Sequence, residues 1–186
     1  MVKPHTAVSN LQEETQTVNQ NGIEIERKFL IIAPGEQWLN KQPGSRRAEI
    51  LQTYLVSKPG ETRRIREWRE NNEIQYIQTI KKPLNGIARE ELETEISQEE
   101  YKSLLKEKDP QRRQIAKIRW SIPFEGHLME IDHYANWYDD RSTLEVELGS
   151  EEEEFRIPPE IIIIREVTGD PRYLNSSMAR EFPPRD

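Results

Sequence analysis

Cysteine is absent from all 186 residues, which excludes disulfides, thiolate nucleophiles and Cys-ligated zinc. The chain also lacks any apolar run near the roughly 18 residues that a membrane-crossing helix needs. The isoleucine run at residues 161–164 is only four long. No stretch resembles a secretory signal, so the sequence predicts a soluble, cytoplasmic protein with no membrane partner. Histidine offers little: His5 stands alone in a polar segment, and His127 and His133 share no metal-binding spacing. Hydrophobic residues make up only 34%, and mean hydropathy is −0.90. A net charge of −7 speaks against nucleic acid or an anionic membrane as the main partner, though not against a local basic site for a small anion.

What is abundant is charge, at 33% of residues, and it is patterned. The length fits one domain. Residues 1–21 are polar and aperiodic and read as a disordered arm. The domain occupies 22–180, and 181–186 with Pro183-Pro184 reads as a free tail. Residues 22–32 form one predicted strand in which Glu24, Glu26 and Lys28 alternate with Ile25, Arg27 and Phe29. Successive side chains of a strand leave opposite faces, so the two carboxylates and the ammonium share one side. Carboxylates about 7 Å apart along a strand can point at one hard cation, with the lysine beyond them holding an anion bound to it.

Later segments repeat the alternation. Arg64 and Arg66 share a face, Thr79 and Lys81 another, followed by Arg89, Glu91, Glu93 and Glu95. Lys117 and Arg119, Glu130 and Asp132, and Glu145 and Glu147 complete the set, mostly with apolar alternates. Asn71-Asn72 marks a hairpin turn. Ser97 with Glu100 is a capping box opening a helix. A short helix or turn is expected near Trp38, another helix from the acidic run 151–154, and a small docking helix within 170–180. The isoleucine-rich stretch at 161–167 reads as a strand or part of a helix. Short turns between strands imply an antiparallel meander, and about eight strands suffice to close a barrel. The pattern allows two arrangements: charges outward around an apolar core, or charges inward with helices covering the apolar face. It does not choose between them.

The opening Glu24-Ile-Glu-Arg-Lys28-Phe-Leu resembles the ExExK motif of the CYTH family, the triphosphate tunnel metalloenzymes. The match continues in order through Gln52-Thr-Tyr54-Leu, Arg64-Ile-Arg66, Thr79-Ile-Lys81, Arg89-Glu-Glu91-Leu-Glu93, Lys117-Ile-Arg119, Glu130-Ile-Asp132 and Leu144-Glu-Val-Glu-Leu148. The resemblance implies a mainly β (α+β) fold, a closed eight-stranded antiparallel β-barrel forming a charged tunnel with flanking helices. It implies an enzyme, a metal-dependent triphosphatase acting on a small-molecule triphosphate, most closely the bacterial members that cleave inorganic tripolyphosphate. Thiamine triphosphatase and class IV adenylate cyclase are the alternatives within the family; a non-catalytic polyphosphate- or nucleotide-binding module is the alternative outside it. A homodimer is a family-level expectation.

A triphosphate repels an attacking nucleophile through its own charge, so catalysis depends on neutralising and positioning that charge. Lys28, Arg64, Arg66, Lys81, Arg89, Lys117 and Arg119 are the candidate phosphate ligands. Lys28, Lys81, Arg89, Glu91 and Glu93 are the candidate catalytic set. Glu24, Glu26, Glu145 and Glu147 are the candidate ligands of Mg²⁺ or Mn²⁺. Glu91, Glu93, Glu130 and Asp132 are candidates for a second metal or for orienting water, with Glu130 and Asp132 the further metal candidates. Arg27, Arg63, Glu67, Arg69 and Glu90 fall on the opposite faces and read as surface charges, while Glu95 reads as rim.

Overall fold

The computed structural model describes residues 23–84 and 89–185. The predicted arm at 1–21 lies outside them. The strands are β1 (Ile23–Glu24), β2 (Glu26–Ile32), β3 (Arg46–Leu55), β4 (Thr62–Glu70), β5 (Glu73–Pro83), β6 (Arg89–Ile96), β7 (Ile115–Phe124), β8 (His127–Tyr134), β9 (Ser142–Glu147) and β10 (Ile162–Glu166). The helices are α1 (Glu36–Leu39), α2 (Gln98–Leu104) and α3 (Asn175–Met178). None of the described helices is long and apolar enough to cross a membrane.

All ten strands form one antiparallel sheet in the order β1-β6-β5-β4-β3-β7-β8-β9-β2-β10. The expected closed eight-stranded barrel is therefore replaced by a ten-stranded sheet whose edges are β1 and β10. Two local features account for the difference. The predicted first strand is interrupted at Ile25, whose carbonyl accepts a hydrogen bond from Leu148 N at 2.9 Å. Its short first part pairs with β6 and its longer second part with β9. The isoleucine-rich segment then adds β10 alongside β2. One stretch of chain thus serves both ends of the sheet, and the sheet remains open-ended as hydrogen-bonded.

Alternation decides what each face packs against. Phe29, Ile31, Trp120, Ile122, Met129, Ile131, Leu144 and Val146 come from the alternates of the charged positions and form the main core, joined by Leu39 of α1. Leu55 and Ile65 pack under Tyr101 of α2. Burying aliphatic and aromatic side chains in this way contributes about 1.5–3 kcal/mol each. Of the two arrangements left open by the sequence, the apolar faces turn outward beneath helices and loops. The capping box of α2 forms as expected, Ser97 Oγ accepting from Glu100 N while Glu100 accepts from Ser97 N.

Two terminal expectations change. The acidic run at 151–154 forms a turn instead of a helix, with Glu153 accepting from Gly149 N and pairing with His127. The stretch after 180 is packed, not free: Phe182 stacks on Trp137 with centroids 5.9 Å apart, and Trp137 Nε1 donates to Pro183 O at 3.1 Å.

Candidate active site

The charged positions of neighbouring strands meet because register places them side by side. Lys28 lies opposite Glu145, Glu145 opposite Glu130, and Glu26 opposite Glu147. Arg64 lies opposite Thr79, Thr79 opposite Glu93, and Lys81 opposite Glu91. These rows enclose two adjoining cavities. One of about 270 Å³ is lined by Glu26, Lys28, Tyr54, Lys81 and Asn175 among others. A second of about 150 Å³ is lined by Arg66, Trp68, Glu91, Glu93 and Glu147 among others. Arg64, Arg119 and Glu130 border both. A larger cavity of about 330 Å³ lies on the other face around Leu51, Ala116, Ile118 and Ala135. Its lining is mainly apolar, so the chemistry belongs to the two smaller spaces.

The interior cations are held by interior carboxylates. Lys28 Nζ donates to Glu145 Oε1 at 2.7 Å, and Lys81 Nζ lies 2.5 Å from Glu91 Oε2. Arg66 pairs with Glu93, and Arg64 Nη2 reaches Glu91 Oε1 at 3.3 Å. Arg119 contacts Asp132, Glu130 and Glu145. Lys117 and Asp132 sit behind this wall, 2.5 Å apart and with side chains only 2% and 1% exposed. Both were expected to reach the ligand; the structure places neither against the two cavities, and they support Arg119 from beneath. Burial and Arg119 push the Lys117 ammonium down to about 8 against the pull of Asp132 and Glu145.

Two shifts point opposite ways. Burial and the neighbouring Arg64 lower the Arg66 guanidinium below its ordinary value, only partly offset by Glu93. Burial, with Glu145 and Asp132 close by, raises the Glu130 carboxyl despite Arg119. Both shifts are led by burial, although Arg66 is paired with Glu93 and Glu130 with Arg119.

The donor set fits a hard divalent cation in kind. Glu26, Glu130, Glu145 and Glu147 supply oxygens on adjacent strands β2, β8 and β9. As placed, however, the described residues contain no group of three acids or imidazoles able to hold a metal. Glu145 is engaged by Lys28 and Arg119, and Glu130 by Arg119. Glu24 and Arg89 are located by backbone register alone, opposite each other on β1 and β6; their side chains lie outside the description.

The surface alternates fall where expected. Arg27 pairs with Glu166, Arg63 with Glu107 and the exposed Arg69 with Glu67, whose side chain is only 14% exposed and lines the cavity on the other face. The sequence reading gave no role to Tyr54, Thr79 or Asn175. Tyr54 lines the 270 Å³ cavity and accepts from Gln52 Nε2 at 2.9 Å. Thr79 Oγ1 donates to Glu93 at 2.9 Å. Asn175 accepts from Tyr134 Oη at 2.7 Å and brings α3 to the same cavity. Alternation with Lys81 and Gln52 could have flagged the first two; nothing local signals Asn175.

A curled antiparallel sheet with a charge-paired interior defines a class of protein built to hold a small polyanion. The chain belongs to the CYTH domain family, whose model matches residues 22–174. It is 33% identical over 159 residues to an inorganic triphosphatase of Acetivibrio thermocellus, covering 86% of this chain and 94% of that one. It is 29% identical over 160 residues to an inorganic triphosphatase of Nitrosomonas europaea, covering 86% and 99%. The crystal structure of the inorganic triphosphatase NE1496 superposes with a TM-score of 0.55 at 27% identity, covering 87% of this chain and 97% of that one.

Proposed function

We propose that the protein is a metal-dependent triphosphatase that hydrolyses inorganic tripolyphosphate to pyrophosphate and phosphate. The observation that carries this reading is geometric: Lys28, Arg64, Arg66, Lys81 and Arg119 line two adjoining cavities together with Glu26, Glu130, Glu145 and Glu147. Relatives named inorganic triphosphatase over most of the chain support it.

Ligand binding is an exchange of partners. Lys28, Arg64, Arg66, Lys81 and Arg119 turn from carboxylates to phosphate oxygens, the arginines with two parallel bonds each. Glu26, Glu130, Glu145 and Glu147, with Glu24, would then hold Mg²⁺ or Mn²⁺, which would supply charge neutralisation for the phosphoryl group and activation of water. Glu91 and Glu93, released from Lys81 and Arg66, orient water. Because the cations are fixed before the reaction, they stabilise developing charge without reorganising.

The test is phosphate release from tripolyphosphate, thiamine triphosphate and ATP with Mg²⁺ or Mn²⁺, with EDTA controls and a cyclic AMP assay on the ATP samples. Preferential, EDTA-sensitive cleavage of tripolyphosphate supports the reading. Cyclic AMP would place the protein among cyclases, preferential loss of thiamine triphosphate would name that substrate, and binding without turnover would leave a phosphate-binding module.

A further inference from the structure

Strand β4 runs the length of the interior, and its inward side chains are Thr62, Arg64, Arg66, Trp68 and Glu70. Each step of two residues advances about 7 Å. The lining therefore changes in character along one strand: cationic at Arg64 and Arg66, aromatic at Trp68, acidic at Glu70. Its neighbours follow the same order. Ile77 of β5 and Leu128 of β8 line the 150 Å³ cavity together with Trp68. Beyond this apolar collar, a vestibule of about 220 Å³ opens among Arg46, Trp68, Glu70, Asn71, Glu73 and Gln75.

The vestibule carries a feature that costs stability. Glu70 and Glu73 are direct cross-strand partners closing the β4–β5 hairpin, and like charges opposite one another destabilise a sheet. Glu70 is also fixed there, since Trp68 Nε1 donates to its Oε2 at 3.0 Å. Trp68 in turn lies against the guanidinium of Arg66, whose Cζ is 5.7 Å from the ring centroid. The last interior arginine of the strand, the collar and the acidic mouth are thus held as one unit.

We infer that this unit sets the length of phosphate chain the protein accepts. The inference rests on the triphosphatase reading and names its specificity element. A three-phosphate chain lies within the stretch served by Lys28, Lys81, Arg64, Arg66 and Arg119. A fourth phosphate extended toward the hairpin would enter the collar of Trp68, Ile77 and Leu128, three side chains that carry no charge, and would face Glu70 and Glu73. Arg46 borders the collar and counters only part of that repulsion.

The experiment compares kcat/KM for tripolyphosphate and tetrapolyphosphate in the wild type, in Glu70→Gln/Glu73→Gln and in Glu73→Lys. Calorimetric binding of both chains is measured in the same samples. The expected result is a rise of about tenfold in the tetra-to-tri ratio, carried by KM for tetrapolyphosphate and shrinking at high salt. An unchanged ratio, or an equal gain for both chains, overturns the inference. If the wild type cleaves neither chain, the triphosphatase reading fails separately. The ratio of the two dissociation constants then decides this inference: movement in the variants supports it, and no movement overturns it. A melting temperature at or above that of the wild type, expected from relieving the Glu70–Glu73 pair, shows that the variants fold.

Discussion

Arg119 grips Asp132 with two parallel bonds, Nε to Oδ1 and Nη2 to Oδ2, each 2.7 Å. The two residues are cross-strand partners on β7 and β8, and Lys117, two residues away on β7, closes on the same carboxylate. One anion thus organises both the wall cation Arg119 and the buried Lys117 behind it.

Asp132→Asn should therefore act first on stability. Removing the charge strands two buried cations, and breaking a buried pair from one side costs about 3–5 kcal/mol. For a chain of this size that lowers the melting temperature by roughly 10 °C. Thermal unfolding followed by circular dichroism measures it. A loss under about 1 kcal/mol would mean that solvent already screens the cluster.

The charged rows were legible in the sequence because a strand has a period of two: Glu26 and Lys28, or Arg64 and Arg66, fall on one face whatever the tertiary fold. Which face turned inward was not legible, since alternation is symmetric between core and interior. The resemblance supplied that choice, and the packing of Ile65 under Tyr101 and of Leu144 in the main core agrees with it. Strand count failed where local chemistry was ambiguous. Ile25 looks like any strand residue, and its break depends on the distant Leu148 N. Lys117 and Arg119 looked equivalent at i and i+2, but only depth along the interior separates a wall residue from its support. Asn175 reached the site through Tyr134, 41 positions away, a contact that no local pattern encodes.

Opposite faces of β4 give a paired prediction. Arg66→Ala should raise the KM for tripolyphosphate about 10- to 100-fold, the loss of a charged hydrogen bond worth about 1.5–3 kcal/mol. Arg63→Ala, whose partner Glu107 is half exposed, should leave kinetics unchanged and cost at most about 1 kcal/mol of stability. Steady-state phosphate release on both variants checks this. Equal effects would reverse the assigned faces.

Acid should expose the Glu93 carboxyl. Burial pushes its pKa up, but Arg66 and Arg64 outweigh that and hold it at about 2, against an ordinary 4.5. A depressed carboxylate contributes stability above pH 4.5 and loses that contribution as pH falls toward 2. Melting temperatures of the wild type should fall through that window more steeply than those of Glu93→Gln. Parallel curves for the two proteins would show that the Glu93 ion pair is not retained in solution.

Tyr54 is the last residue to test, because its hydroxyl faces the cavity that holds Lys28, Arg64 and Lys81. Burial raises its pKa and those three cations only partly reverse the shift, so near neutral pH it is a phenol that donates, not a phenolate. Tyr54→Phe should lower kcat/KM for tripolyphosphate about tenfold, the scale of one hydrogen bond to a charged oxygen. The same change leaves the buried Gln52 amide without its partner, so a fall in stability is expected as well and must be separated from the kinetic effect. Gln52→Met does this: it removes the amide while leaving the hydroxyl in place. Activity kept in Gln52→Met but lost in Tyr54→Phe, both assayed well below their melting temperatures, identifies the hydroxyl as a ligand of the phosphate chain. Equal losses in the two variants would reduce Tyr54 to a packing residue that holds β3 in register.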